Sequence, residues 1–237
     1  SITDLTAVGI DYWALGHIHK REVVRQASPT IIYPGNIQGR DSGEMGERGC
    51  YLVDVSEAGV VTPMFRPLDV VRWTTLALSI DDVAGVDGLR DRLVDQLTEK
   101  LREAHGRDVI CRVTLVGRGE LHAALQNADD REGFLEQVRE DLDTASPWVW
   151  IEKLADQTRP DIDLDERIAQ DDFLGEALSG ASKVECDEVR DSVARVFSGR
   201  PDGLPKLDDD QIAELIEEAQ WYLVDLLEGS ENAGGRT

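Results

Sequence analysis

Leucines recur at every fourth residue from Leu89 through Leu93 and Leu97 to Leu101, between two β-branched runs, Val70–Ile80 and Val109–Val116. Four-residue spacing becomes one apolar stripe on a helix, whereas runs such as VVRWTTLALSI and VICRVTLV suit strands. A second helical segment, Arg131–Leu142, gathers Phe134, Leu135, Val138 and Leu142, and Trp148–Leu154 closes as a strand. This β-α-β-α-β order predicts an α/β module over residues 69–156, of ferredoxin-like arrangement. Trp148 and Trp150 alternate in that last strand and share a face; core packing is the expectation, ahead of a base-stacking platform.

The flanking segments read differently. Over residues 1–68, the short runs Asp11–Leu15, Thr30–Tyr33 and Tyr51–Val55 are separated by turn residues, and Gly59 marks a hairpin before Val60–Arg66. They predict sheet edges joined by loops. After Arg159-Pro160 the pattern is helical, defining an acidic region over 157–229. Ser182-x-x-Glu185 reads as a capping box opening a helix with Val189, Val193 and Val196–Phe197 on one face. Ser198–Pro205 reads as a turn-rich linker. Asp208-x-x-Gln211 opens a helix bearing Ile212, Leu215, Ile216, Ala219, Tyr222, Leu223, Leu226 and Leu227, ended by Gly229, and 230–237 reads as a disordered tail.

Net charge is −23, and its distribution matters more than its size. Residues 1–67 carry −2, residues 68–156 carry −8 and residues 157–237 carry −13. Acid thus accumulates toward the C-terminus, while Lys20, Arg21, Arg25, Arg40 and Arg48 gather near the first histidines; they read equally as a phosphate-tracking rim or as scattered solvated charge. Asp161, Asp163 and Asp165, like Asp208–Asp210, lack the glycine and terminal Glu of a calcium loop and read as solvated helix N-termini. No run reaches the ~18 apolar residues that span a bilayer. The three cysteines, Cys50, Cys111 and Cys186, form no metal-type pair or disulfide framework, so a reducing cytoplasm is the expectation.

Gly16-His17-Ile18-His19 carries two of the four histidines. Imidazoles two positions apart at a strand end or tight loop can each offer a ring nitrogen to a metal, and the preceding glycine permits a sharp turn. A pair of loop histidines without ligand duty is the plain alternative. Arg118 and His122, in VGRGELHAAL, read as loop-satisfying groups before DNA contacts.

The strings DYWALGHIHKREVV and IIYPGNIQGRDSGEMGERGCYLVDV closely resemble the last blocks of the SbcD-type DNA repair exonucleases, especially their YhaO-like branch, within the calcineurin-like phosphoesterase superfamily. The resemblance is strong over residues 8–68, rests on layout over 69–156, and on position alone in the helical C-terminus. It implies an α/β (α+β) chain: the C-terminal part of a metallophosphoesterase αββα sandwich over 1–68, an α/β capping domain over 69–156, then helices. It implies that His17 and His19 are metal ligands, one to each of two manganese ions. Tyr33, Pro34, Gly35 and Asn36 match the turn near substrate, so Asn36 and Arg40 are expected to approach DNA phosphate. Gly43, Glu44, Gly46 and Gly49 match a glycine-rich segment read as structural. The implied partners are DNA and an SMC-like ATPase of SbcC/YhaN type, with a homodimer of the full-length protein and no membrane.

The superfamily's D-x-H, G-D and G-N-H-[D/E] motifs are missing from this sequence. Two neutral histidines cannot hold two divalent ions alone. The expectation is therefore a truncated or partial chain whose parent hydrolyses phosphodiesters in DNA repair. Its rival is a non-enzymatic module that docks DNA or the ATPase.

Overall fold

In the computed structural model, residues 1–143, 146–196 and 207–233 are described. The expected linker Ser198–Pro205 and residues 234–237 of the expected tail lie outside them. The described part is mixed α/β and divides into two compact units: residues 1–117 with 124–158, and residues 118–123 with 159–237.

In the first unit, α1 (Ile2–Ala7) precedes a three-stranded sheet of order β1-β3-β2 built from β1 (Tyr12–Ala14), β2 (Glu22–Gln26) and β3 (Thr30–Tyr33). β1 and β3 run parallel, and β2 pairs antiparallel to β3. Ile31 and Ile32 are fully buried in the middle strand. β4 (Gly49–Val55) and β5 (Val61–Pro67) form the hairpin that Gly59 marks, paired from Gly49↔Pro67 to Val55↔Val61. Neither α1 nor β2 was expected. Both are short, and EVVRQ alternates too briefly to stand out by pattern.

Next come β6 (Val71–Ser79), α2 (Gly85–Glu103), β7 (Asp108–Val116), α3 (Leu121–Gln126), α4 (Ala128–Leu142) and β8 (Val149–Asp156). The strand and helix assignments match expectation to within a few residues, with α3 added. The topology does not match: β6-β7-β8 is a wholly parallel sheet in sequential order, which a ferredoxin-like module is not. Right-handed crossovers between sequential parallel strands put both helices on one face. α2 and α4 accordingly touch each other.

The shared face is the core. Along β7, Val109, Cys111, Val113 and Leu115 are buried while the intervening residues are half-buried. Leu89, Leu93 and Leu97 of α2 meet this face with Phe134, Val138 and Leu142 of α4; Leu101 is only half-buried. Trp148 and Trp150 break the packing expectation, with 40% and 48% of their surface exposed. The register explains it. Ile151 pairs with Cys111 and takes the core face, so Trp150, paired with Ile110, takes the opposite one. There the Arg139 guanidinium sits 4.2 Å from the Trp150 ring.

A buried ion cluster joins the hairpin to this module. Asp69, its side chain fully buried, accepts from Arg72 Nε at 2.8 Å and lies 3.2 Å from Arg107 Nε. The Asp69 carbonyl also accepts from Arg107 Nε at 2.9 Å.

The second unit contains α5 (Leu164–Ile168), α6 (Phe173–Ala181), α7 (Cys186–Val196) and α8 (Asp209–Ala233). Its core is Leu174, Leu178, Trp221 and Val224, with Ile162, Leu164, Ile168, Leu223 and Leu227 packed around. The Asp208 box is present: Gln211 N donates to Asp208 Oδ1 at 2.9 Å and Asp208 N donates to Gln211 Oε1 at 3.1 Å. The Ser182 box is not. Ser182 is the C-cap of α6, a helix started by Asp172 as N-cap, and α7 begins only at Cys186. α8 also runs through Gly229 to Ala233. Asp163 is an N-cap too, accepting from Glu166 N, as solvated helix starts would have it. No helix among the described residues is long and apolar enough to cross a membrane.

Candidate metal and phosphate site

β1 and β3 are neighbours and parallel, so the segments leaving their C-terminal ends emerge at the same edge. The first is Gly16-His17-Ile18-His19; the second is Pro34-Gly35-Asn36. Loops at the carboxyl ends of adjacent parallel strands are where open α/β sheets place their ligands. The sequence folds this way because Leu15 N donates to Ile32 O at 2.8 Å, holding β1 to its end, and each chain then breaks at a turn residue.

The first turn differs from expectation. Its left-handed residue is His17, at φ 77°, rather than Gly16, and Ile18 N donates to Gly16 O at 3.0 Å. Histidine enters this backbone region more often than most side chains, and such residues gather at functional sites. In the second turn Gly35 has φ 80°, and a Cβ there would lie 2.7 Å from the His19 carbonyl oxygen. Asn36 N donates to that same oxygen at 3.1 Å, which stitches the two loops together.

Glu44 is the hub. Its Oε1 lies 2.6 Å from His19 Nδ1; its Oε2 accepts from Asn36 Nδ2 at 2.6 Å and from the Arg40 backbone N–H at 2.9 Å. The Arg40 guanidinium stands 3.5 Å from Oε1 and 2.8 Å from His19 Nδ1. The Arg40 N–H above all, then the His19, Asn36 and Arg40 side chains, outweigh the cost of burial and hold the Glu44 carboxyl at about 2. In the sequence, Glu44 reads as part of a structural glycine-rich segment. The available signal was a lone acid between glycines, a few residues past Asn36 and Arg40, in a loop that also follows two histidines.

The other residues separate by burial. Arg48 is not on a rim: it is 9% exposed, and its Nη1 donates to His19 O at 2.7 Å and Asn36 Oδ1 at 3.0 Å. Arg21 stacks 3.7 Å above the Phe65 ring, and Arg25 donates to Ser28 O. The Arg40 side chain is 65% exposed and Lys20 is exposed, so these keep cationic ends at the surface. The Asn36 side chain is committed on both atoms to Glu44 and Arg48. The whole loop is fastened to the edge of β6: Gln38 Nε2 donates to Val71 O at 2.5 Å, and Gly46 N donates to Trp73 O at 3.2 Å.

His17 and His19 are exposed, and imidazole suits first-row divalent ions. A carboxylate on the far nitrogen of a ligating histidine is the usual supporting arrangement for a metal. The donor set fits a metal in part. Among the described residues no group of three or more His, Cys, Asp or Glu comes together as a metal site. His122 and Arg118 serve elsewhere: His122 Nε2 lies 2.9 Å from Asp225 Oδ1, and Arg118 covers the Trp221 ring at 5.0 Å.

Residues 73–159 match the family described as metallophosphoesterase YhaO, middle domain. The chain is also similar to the uncharacterized metallophosphoesterase YhaO of Bacillus subtilis (strain 168), 31% identical over 225 residues, covering 93% of this chain and 52% of the relative. It therefore spans about half the length of the curated relative it matches. No solved structure matches it.

Proposed function

From a chain that is YhaO-like along 93% of its length and has a YhaO-type middle domain at residues 73–159, we propose that it supplies part of the active site of a metal-dependent phosphodiester hydrolase acting on DNA in repair. The observation that carries this reading is the meeting of Gly16–His19 and Pro34–Asn36 around one carboxylate, at the C-terminal ends of parallel strands. His17 and His19 are the metal ligands, and the ions are a pair of manganese. His17 and His19 would hold such ions, which would supply Lewis-acid chemistry for phosphodiester hydrolysis. Arg40, with an exposed guanidinium, meets the DNA phosphate, and Asn36 fixes the loop that aims it. The charge distribution supports this placement: residues 1–67 carry −2 whereas 157–237 carry −13, which would repel a phosphate backbone.

The proposal extends to the division of the chain into a metallophosphoesterase part over 1–68, a capping domain over 69–156 and a helical region over 157–229. It also extends to a cytoplasmic setting, in keeping with Cys50, Cys111 and Cys186 all being free. The partner is an SMC-like ATPase of SbcC/YhaN type, with the exposed Leu215, Tyr222 and Leu226 of α8 as its contact, and the full-length protein is a homodimer. A second reading, a non-enzymatic module that docks DNA or the ATPase, is favoured by one fact: no third ligand joins the histidines among the described residues.

The test joins this chain to the part of the Bacillus subtilis relative that lies outside their alignment and follows manganese-dependent release of nucleotides from end-labelled DNA. Release lost on His17→Ala or His19→Ala, with the rest of the fold retained, supports the enzyme. Binding of DNA without release, unaffected by either change, supports the docking module.

A further inference from the structure

The neighbours of the His19 ring fix which of its nitrogens carries the proton. At Nδ1 two groups compete: Glu44 Oε1 at 2.6 Å and Arg40 Nη2 at 2.8 Å. A neutral imidazole nitrogen either donates or accepts, a guanidinium only donates, and an ionised carboxylate only accepts. The state of Glu44 therefore decides. Its Oε2 already receives N–H donors from Asn36 and from the Arg40 backbone, at 2.6 and 2.9 Å, and the Arg40 guanidinium is 3.5 Å from Oε1. Two donors convergent on Oε2 and a nearby cation leave no acceptor for a carboxyl proton at Oε2 and favour the ionised form. An ionised oxygen 2.6 Å from Nδ1 requires a proton between them, and that proton belongs to the ring. The Nε2 lone pair then faces away from Glu44, and Arg40 Nη2, at 3.4 Å from Nε2, is the cation nearest to it.

We propose that Glu44 is a positioning residue: it holds His19 as the Nδ1–H tautomer and so presents Nε2 as the lone-pair nitrogen of the site. Asn36 and Arg48 serve this arrangement indirectly. Asn36 bridges Glu44 to Arg48, and Arg48 pins the His19 carbonyl, so ring and carboxylate are fixed from both ends. Free histidine prefers the opposite tautomer, with its proton on Nε2, so the effect is measurable without any metal. The consequence for metal affinity rests on the proposed ligand role of His19; the tautomer does not.

The experiment is long-range proton–nitrogen correlation of the full chain carrying nitrogen-15 histidine, at about pH 8, above the ordinary histidine range. His19→Gln identifies the signal among the four histidines. The expected result is a protonated Nδ1 and an unprotonated Nε2 for His19, reverting to an Nε2 proton in Glu44→Ala. Retained amide dispersion from the first compact unit, which carries both His19 and Glu44, reports that the variant is folded. Manganese is then titrated into both proteins, and Glu44→Ala should need about 10–100-fold more ion for equal broadening of His19. A wild-type His19 with its proton on Nε2 overturns the proposal without recourse to any variant, and so does an Nδ1 proton that survives Glu44→Ala. Manganese that leaves His19 unbroadened in the wild-type protein would instead remove the metal-ligand reading, while the tautomer result still stands for Glu44.

Discussion

A Cβ on residue 35 would lie 2.7 Å from the His19 carbonyl oxygen and 3.0 Å from the Arg21 nitrogen, at a φ of +80°. Gly35→Ala is therefore expected to cost about 1–3 kcal/mol in denaturant unfolding, from backbone strain together with the displaced loop. Glu44 gives a second prediction, read by pH. Its carboxyl is lowered from an ordinary 4.5 to about 2, so its stabilising contribution is complete above 4.5 and is lost as pH falls toward 2. Glu44→Gln should flatten the acid limb of the stability profile within that window, as measured by unfolding at a series of pH values. An unchanged limb would mean that the loop contacts contribute nothing. At this scale the sequence was informative where residue type and spacing coincide, as in GHIH. It was silent about Glu44, whose place in the site comes from three contacts that converge only in space. Cys111 lies in the core, where burial pushes its thiol up to about 12 and keeps it inert.

Elements were easier to read than their arrangement. The four-residue leucine spacing identified α2, and β-branched runs identified β6 and β7, because burial on one side imposes a period that survives in sequence. Strand direction leaves no such trace: parallel order β6-β7-β8 is fixed by crossovers of a few dozen residues. Trp148 and Trp150 show the same limit, since β8 is an edge strand and its alternation cannot say which face is covered. The energetic contrast is testable. Leu93, fully buried, should lose about 2–5 kcal/mol on Leu93→Ala. Trp150→Ala should cost about 1 kcal/mol, chiefly the Arg139 stacking and a half-exposed face. Equal losses in chemical denaturation would show that the open face of the sheet is covered after all.

Across the whole molecule, the division into a sheet-bearing unit and a helical one follows the change from period-two and mixed patterns to helical ones. The acid gradient follows the same division. What sequence could not supply was the fastening between segments. Asp69 and its two arginines tie the hairpin to the parallel module, and Gln38 ties the site loop to β6. The Arg107–Asp69 and Gln38–Val71 contacts join partners 38 and 33 residues apart, beyond any local period. The proposal that His17 and His19 are ligands of a site to which this chain contributes only part can be checked on the chain itself. It is tested most directly by incubating the purified 237-residue chain with manganese and end-labelled linear or single-stranded DNA. Weak manganese binding and no release of nucleotides are expected, because two neutral imidazoles do not hold a pair of divalent ions. Robust release by the chain alone, abolished by His19→Ala, would contradict it.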